Sequence, residues 1–201
     1  MASLAVPLIE SVVVRVLAAL GVGVVAGAAG EAAKEQARKR QEEADKAKST
    51  PISRTDATTK EREKCKDCPP DKGASALQNT AGWSEIAILY QIRIAQMPPA
   101  PPGYLSEWSF GGKQFDGFDS SQCLLKEAKS TYDQFFDDFG YRKPYWTGDV
   151  RLLKQAVEQS AAAIPQPPVQ LRWYFMEPKS YRFFSKMFSA AQLSIETVFE
   201  P

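Results

Sequence analysis

Histidine is absent from all 201 residues of the chain. Its absence excludes catalytic sites that use an imidazole base, such as a Ser-His-Asp triad, and zinc centres that have histidine ligands. Any enzymatic chemistry must therefore depend on carboxylates, Lys, Arg, Tyr, Cys or backbone groups. A bound metal ion would have oxygen ligands, which favours magnesium, manganese or calcium over zinc or copper.

Cysteine is also scarce, and the three cysteines cannot all pair with one another: Cys65, Cys68 and Cys123. The chain is therefore not a disulfide-dense secreted scaffold. The Cys65-x-x-Cys68 motif is at most half of a zinc site, and no thioredoxin-like βαβ pattern follows it to indicate a redox pair. We expect a local bridge, or two free thiols, near the start of the domain.

A large excess of one charge is absent as well, since 25 Lys and Arg stand against 24 Asp and Glu. A strongly basic surface is the usual electrostatic signature of a nucleic-acid-binding protein. The even balance argues against high non-specific affinity for nucleic acid. It does not exclude a nuclease, because a metal ion can neutralise phosphate charge locally.

The apolar stretch at residues 4–30 contains no uncharged run that is long enough to span a bilayer. Glu10 and Arg15 interrupt it and leave 15 uncharged residues from 16 to 30, whereas a spanning helix needs ~20. Three interpretations stay open: a weak membrane helix, a plain amphipathic helix, or a helix shielded by a chaperone. We favour the shielded helix, because an exposed apolar segment of this length would aggregate.

Composition divides the chain into three parts. Residues 1–48 form an apolar and then charged helical segment, residues 49–64 a linker rich in Ser, Thr and charge, and residues 65–201 a domain. The domain has an α/β pattern. We predict helices at 75–97, 147–163 and 179–192, and strands at 104–110, 113–119, 122–129, 169–177 and 194–199.

The segment from 113 to 130 carries the candidate site. Side chains alternate between the two faces of a strand, so Glu127 and Lys129 share one face and Lys126 lies on the other. A hairpin that turns at Ser120-Ser121 would bring Asp116 opposite Glu127. This places two carboxylates and one amine together.

Two neighbouring carboxylates repel each other unless a cation lies between them. We therefore predict that Asp116 and Glu127 bind Mg²⁺ or Mn²⁺, which can orient a phosphate and activate water. Lys129 could position or help to deprotonate that water, and could stabilise the developing negative charge. The alternative is a structural Glu127–Lys129 ion pair on a solvent-facing strand, and the upstream Asp-Gly pair favours the site.

Other candidate residues lie around this core. Glu85 lies on a stripe with Ile88, Leu89 and Ile92 that predicts a buried face, where its partner would be either the metal site or Arg172. We also consider three residues as substrate contacts: Gln91, Lys113 and Lys126. For the lysines the alternative is solvated surface charge.

Four motifs together resemble the restriction-endonuclease-fold toxin domains of bacterial polymorphic toxin systems, and in particular the fifth such group, found among type VI secretion effectors. They are Tyr90-Gln91, Phe115-Asp116-Gly117-Phe118, Leu124-Leu125-Lys126-Glu127-Ala128-Lys129 and Tyr132-Asp133-Gln134-Phe135. The resemblance covers about residues 65–201. It implies a PD-(D/E)xK core with a mixed sheet flanked by helices, and Asp116, Glu127, Lys129 and Glu85 as catalytic residues.

The resemblance also implies a biological role. It indicates a DNase that is made in the bacterial cytoplasm, delivered by a type VI secretion system into the cytoplasm of a competing cell, and neutralised by a cognate immunity protein. Apolar N-terminal segments of such effectors are commonly held by a dedicated chaperone or a spike adaptor. Two other hypotheses stay open: a toxin that inserts residues 4–30 into membranes, and a catalytically inactive module that binds a partner protein.

Overall fold

A computed structural model describes residues 67–201. The predicted N-terminal segment 1–48, the linker 49–64 and Cys65 lie outside the described residues. From residue 67 onward, none of the helices is both long enough and apolar enough to cross a membrane.

The first sheet has three antiparallel strands in the order β1-β2-β3, formed by Ala74–Asn79, Tyr104–Phe110 and Lys113–Phe115. The prediction of one helix over 75–97 is wrong in its first half, because residues 74–79 pair along their whole length with β2. Helix α1, Glu85–Ala95, begins only after Ser84, whose side-chain oxygen accepts a hydrogen bond from the Ala87 N–H and caps the helix.

The second sheet has the order β4-β5-β6-β7, formed by Gly117–Asp119, Leu124–Lys129, Gln170–Phe175 and Glu196–Phe199. Strand β4 is antiparallel to β5, whereas β5, β6 and β7 run parallel. The strand predicted at 113–119 is interrupted at Asp116. Its first part belongs to one sheet and its second part to the other, so Asp116 lies at the junction of the two sheets.

Two further helices cover the second sheet. Helix α2, Gly148–Ala162, connects β5 to β6, and α3, Pro178–Ala190, connects β6 to β7. Both lie within two residues of the predicted bounds. Two short 3-10 helices, Pro69–Lys72 and Asp133–Phe135, complete the described elements.

Large apolar side chains fill the space between the second sheet and these helices. Trp173 and Phe175 on β6 and Phe184 and Phe188 on α3 are at most 1% exposed, and their rings pack against one another. Burial of such rings is the main stabilising term in a domain of this size. The core therefore fixes β6, and through the β5–β6 ladder it fixes the strand that carries Glu127 and Lys129.

A disulfide joins Cys68, just before the first 3-10 helix, to Cys123, just before β5, across 55 residues of sequence. The expectation of a local bridge or free thiols near the domain start is therefore wrong for Cys68. Both half-cystines are buried in the core. The covalent link attaches the beginning of the domain directly to the start of β5.

The described residues thus form a mixed α/β domain with two sheets and flanking helices. This architecture is consistent with the restriction-endonuclease-like fold expected from the motifs. The additional strand β1 and the break at Asp116 are the main departures from the predicted order.

Candidate active site

A cavity of about 410 Å³ opens between α1, the ends of β2 and β5, and α2. Its lining is mostly polar, with three carboxylates, one amine and four glutamines. The lining residues are Gln78, Trp83, Ala87, Gln91, Glu107, Gln114, Asp116, Glu127, Ala128, Lys129, Ser130, Tyr132 and Gln155. The sequence-predicted residues Asp116, Glu127, Lys129 and Gln91 therefore come together at one opening.

The β4–β5 hairpin explains how Asp116 reaches Glu127. Its register pairs Gly117 with Lys126, so Asp116 and Glu127 are the next positions along the two strands. The Asp116 carboxylate accepts a hydrogen bond of 2.6 Å from the Ala128 N–H. The hairpin geometry predicted from the alternation is confirmed, and the catalytic roles of these residues stay predictions.

Gly117 is required where it stands, because α1 ends against it. A Cβ atom at this position would lie 2.7 Å from the Ala95 carbonyl oxygen and 2.8 Å from the Ala95 Cα. The neighbouring atoms are backbone and cannot move aside easily. A side chain at residue 117, directly after Asp116, would therefore force the end of α1 and the hairpin apart.

The Glu127 carboxylate is held by three donors. Lys129 Nζ lies 2.5 Å from Oε1, and Gln155 Nε2 donates to the same oxygen at 2.7 Å. Gln159 Nε2 donates to Oε2 at 2.7 Å. Since an ionised carboxylate offers about four lone-pair directions, little of its accepting capacity is unused.

Electrostatic interactions affect Asp116, which lies just before β4, differently from Lys129 on β5. Burial, and then repulsion from Glu127, raise the pKa of Asp116 well above its ordinary value. For Lys129, burial alone would lower the pKa, but attraction to Glu127, Tyr132 and Asp116 outweighs burial and raises it. Lys129 is therefore an ammonium at neutral pH, and its Nζ also lies 4.8 Å from the centre of the Trp173 ring.

Glu107 is a carboxylate of the cavity that the sequence analysis did not identify. It is buried on β2 and accepts a hydrogen bond of 3.1 Å from Gln91 Nε2. Burial is the first cause of its raised pKa. The alternation in β2 could have revealed it, because Leu105 and Glu107 share the inward face of that strand.

Glu85 lies away from this site. It is exposed in the first turn of α1 and does not line the cavity. The predicted buried stripe is wrong, since Leu89 and Ile92 are 57% and 51% exposed and the buried residues are Tyr90, Gln91, Ile94 and Ala95. Eight of the 11 residues of α1 are apolar, so periodicity alone did not distinguish its faces. Arg172, the alternative partner, pairs with Glu196 instead.

The two lysines proposed as substrate contacts also lie outside the cavity lining. Lys113 forms an ion pair of 2.9 Å with Glu158 on α2. Lys126 is buried on the opposite face of β5 and donates to the Ile94 carbonyl oxygen at 3.3 Å. Their geometry gives neither lysine a contact with the Asp116–Glu127 pair.

The carboxylates of the cavity could supply only some of the ligands of a divalent cation. Within residues 67–201, no group of three or more His, Cys, Asp or Glu side chains is arranged to hold a metal ion. Mg²⁺, however, is commonly bound through one or two carboxylates, with water and substrate phosphate as the other ligands. The mutual repulsion of Asp116 and Glu127 is the electrostatic condition that such a cation relieves.

Comparison with known families is consistent with the geometry. Residues 87–178 match the family model described as restriction endonuclease fold toxin 5. The matched span begins inside α1, ends at the start of α3, and contains Glu107, Asp116, Glu127 and Lys129. No curated protein matches the chain. The description of the matched family indicates a toxin with a nuclease-type fold.

Proposed function

We propose that the chain is an antibacterial toxin whose domain at 65–201 is a metal-dependent endonuclease acting on DNA. The observation that supports this most strongly is the convergence of Asp116, Glu127 and Lys129 on one open polar cavity. All three lie within the span that matches the toxin family. A purely structural ion pair would need no such opening.

In this proposal Asp116 and Glu127 hold Mg²⁺ or Mn²⁺. When bound, such an ion supplies Lewis-acid polarisation of the phosphate and a more acidic water molecule. The chain's own contribution is to keep both carboxylates fixed. The Ala128 N–H orients Asp116, and donors from β5 and α2 orient Glu127.

Lys129 contributes a positive charge in this proposal. Its raised pKa means that it would not remove a proton from water at neutral pH, so we assign it to the phosphate. A buried ammonium directed at the scissile group would stabilise the negative charge that grows during hydrolysis. The nearly even charge of the whole chain makes this local cation and the metal the main attractions for a polynucleotide.

The delivery route and partners belong to the same proposal and are supported by the sequence resemblance. We propose secretion through a type VI system, an immunity protein that protects the producer, and a chaperone or spike adaptor that binds residues 1–48. The target-cell cytoplasm would be the place of action. Co-purification of the full chain with proteins encoded beside it would test the partners.

The nuclease assignment is tested with purified full-length chain, supercoiled plasmid and total RNA, each with Mg²⁺, with Mn²⁺ and with EDTA. We expect metal-dependent cleavage that is lost in Glu127→Gln, with unchanged far-UV circular dichroism. The control is Lys154→Gln, an exposed position on α2. A wild-type chain that cleaves neither substrate would contradict the proposal and favour a module that only binds a partner. Dye leakage from liposomes that persists in Glu127→Gln would favour a membrane-acting toxin.

A further inference from the structure

Helix α2 presents two glutamines, Gln155 and Gln159, to the face of β5 that carries Glu127. They are four residues apart, and side chains at this spacing lie on the same face of a helix. Gln155 lines the cavity, whereas Gln159 is not part of the lining and is 1% exposed. No sequence pattern singled out either residue.

The orientation of the Gln159 amide is determined by its partners. The Trp173 indole N–H can only donate, and it donates to Gln159 Oε1 at 3.0 Å. The amide nitrogen is therefore left to donate, and it reaches both Glu127 Oε2 at 2.7 Å and the Gln114 carbonyl oxygen at 2.9 Å. A core tryptophan thus determines which end of the amide faces the carboxylate.

Gln155 is oriented by the same logic. Lys129 is donor-only and donates to Gln155 Oε1 at 3.2 Å, while the Glu127 carboxylate is acceptor-only and receives Gln155 Nε2 at 2.7 Å. If the amide were rotated by 180°, its nitrogen would face the Lys129 ammonium and its oxygen would face the Glu127 carboxylate, and both hydrogen bonds would be lost. Gln155 therefore bridges the acid and the amine at the wall of the cavity.

We propose that Gln155 and Gln159 form an amide clamp that positions Glu127 and Lys129 for the reaction. This inference rests on the proposed nuclease function and adds two positioning residues to it. The clamp keeps the carboxylate of Glu127 in one rotamer, and it supplies Lys129 with a second acceptor so that its ammonium does not interact with Glu127 alone. Both effects act before substrate arrives, as preorganisation of a catalytic group requires.

Gln155→Glu is the sharpest variant, because it preserves size and the acceptor for Lys129 but replaces the donor to Glu127 with an oxygen. We expect kcat to fall by about 10- to 100-fold, the usual effect of losing a partner that orients a metal-binding residue, with KM changed by less than about threefold. Lys154→Gln is the matched control, since it changes the charge by the same amount on the exposed side of α2. It should keep the wild-type kcat.

A measurement without substrate tests the contact itself. The thermal midpoint of Gln159→Glu, which keeps the acceptor for Trp173, should drop in the wild-type background. The drop should be much smaller in the Glu127→Gln background, because the opposed carboxylates are then gone. Equal drops in both backgrounds would overturn the clamp, and so would a Gln155→Glu variant with wild-type kcat in an active nuclease. A wild-type chain without nuclease activity would instead overturn the proposed function, and with it any catalytic role of the clamp.

Discussion

Two buried lysines, three residues apart on β5, experience opposite environments. Lys129 faces the cavity, where carboxylates outweigh the cost of burial and raise its pKa. Lys126 faces α1, where burial lowers its pKa and attraction to Asp119 only partly compensates. Burial alone therefore does not define the chemistry of an amine on this strand. Nearby carboxylates decide whether the pKa of each lysine is raised or lowered, and they are concentrated on the cavity face.

The largest expected effect comes from a change at the start of β5, the strand that carries both lysines. Cys123→Ala removes the disulfide at the start of β5 and should lower the free energy of unfolding by about 4 kcal/mol, the chain-entropy value for a loop of this length. Urea unfolding without reductant measures it. Wild-type protein in reductant should show the same loss, and a stability unaffected by both treatments would rule out the crosslink.

Replacing each lysine in turn tests whether the two faces of β5 differ in their importance for cleavage. Lys129→Met should reduce kcat by about 100- to 1,000-fold, because it removes a donor to the developing charge. Lys126→Met should change kcat by less than about threefold, as expected for a site without contact to the reaction. Plasmid cleavage under saturating Mg²⁺ measures both. Equal losses would show that the comparison of the faces has no functional meaning.

Substitution of Asp116 measures how much the crowded negative charge on the cavity face lowers the stability of the domain. Because its folded-state pKa is raised, its contribution to stability is lost as the pH rises through that value. Asp116→Asn should raise the thermal midpoint in EDTA at pH 7 by about 2–4 °C, because it removes this unfavourable charge. It should also abolish cleavage, because it removes a proposed metal ligand. The gain should shrink as the pH falls towards the ordinary aspartate pKa of about 4. A gain that does not depend on pH would point to packing instead of charge.

The smallest effect is expected on the opposite face. The lowered pKa of Lys126 means that its charged form is disfavoured in the folded state, so stability is lost as the pH falls through the folded pKa. Lys126→Met should stabilise the domain at pH 7 by no more than about 1 kcal/mol. The gain should diminish as the pH approaches the ordinary lysine pKa of about 10.4. Urea unfolding at pH 7 and pH 9.5 tests the trend, and destabilisation at pH 7 would contradict it.

Local patterns predicted the elements that depend on local rules. The bounds of β2 and α2, the two-residue connection at 111–112 between the strands predicted at 104–110 and 113–119, and the hairpin that brings Asp116 to Glu127 follow from alternation, helix periodicity and turn residues. Both turn glycines have positive φ, as such a turn requires. The core of the candidate site could therefore be located from sequence, because Glu127 and Lys129 lie on one strand of a hairpin and Asp116 directly precedes the other.

The features that sequence did not predict depend on distant partners. Residues 74–79 become a strand because β2 offers them a complete ladder, and Cys68 pairs with a residue 55 positions away. Gln155 and Gln159 contact Glu127 only because α2 packs over β5, which the sequence alone does not show. Glu107 is an intermediate case. The alternation in β2 predicts that its side chain points inward, but it does not predict that Glu107 lies near Glu127.

The enclosed disulfide has a consequence for how long the domain would persist among reducing thiols. Exchange requires a thiolate to reach one of the sulfur atoms, yet Cys123 is fully enclosed and Cys68 is only 5% exposed. A small thiol can attack only after this part of the domain opens. The lifetime of the crosslinked form in a reducing compartment is then governed by the opening rate of the protein itself, as kinetic stability.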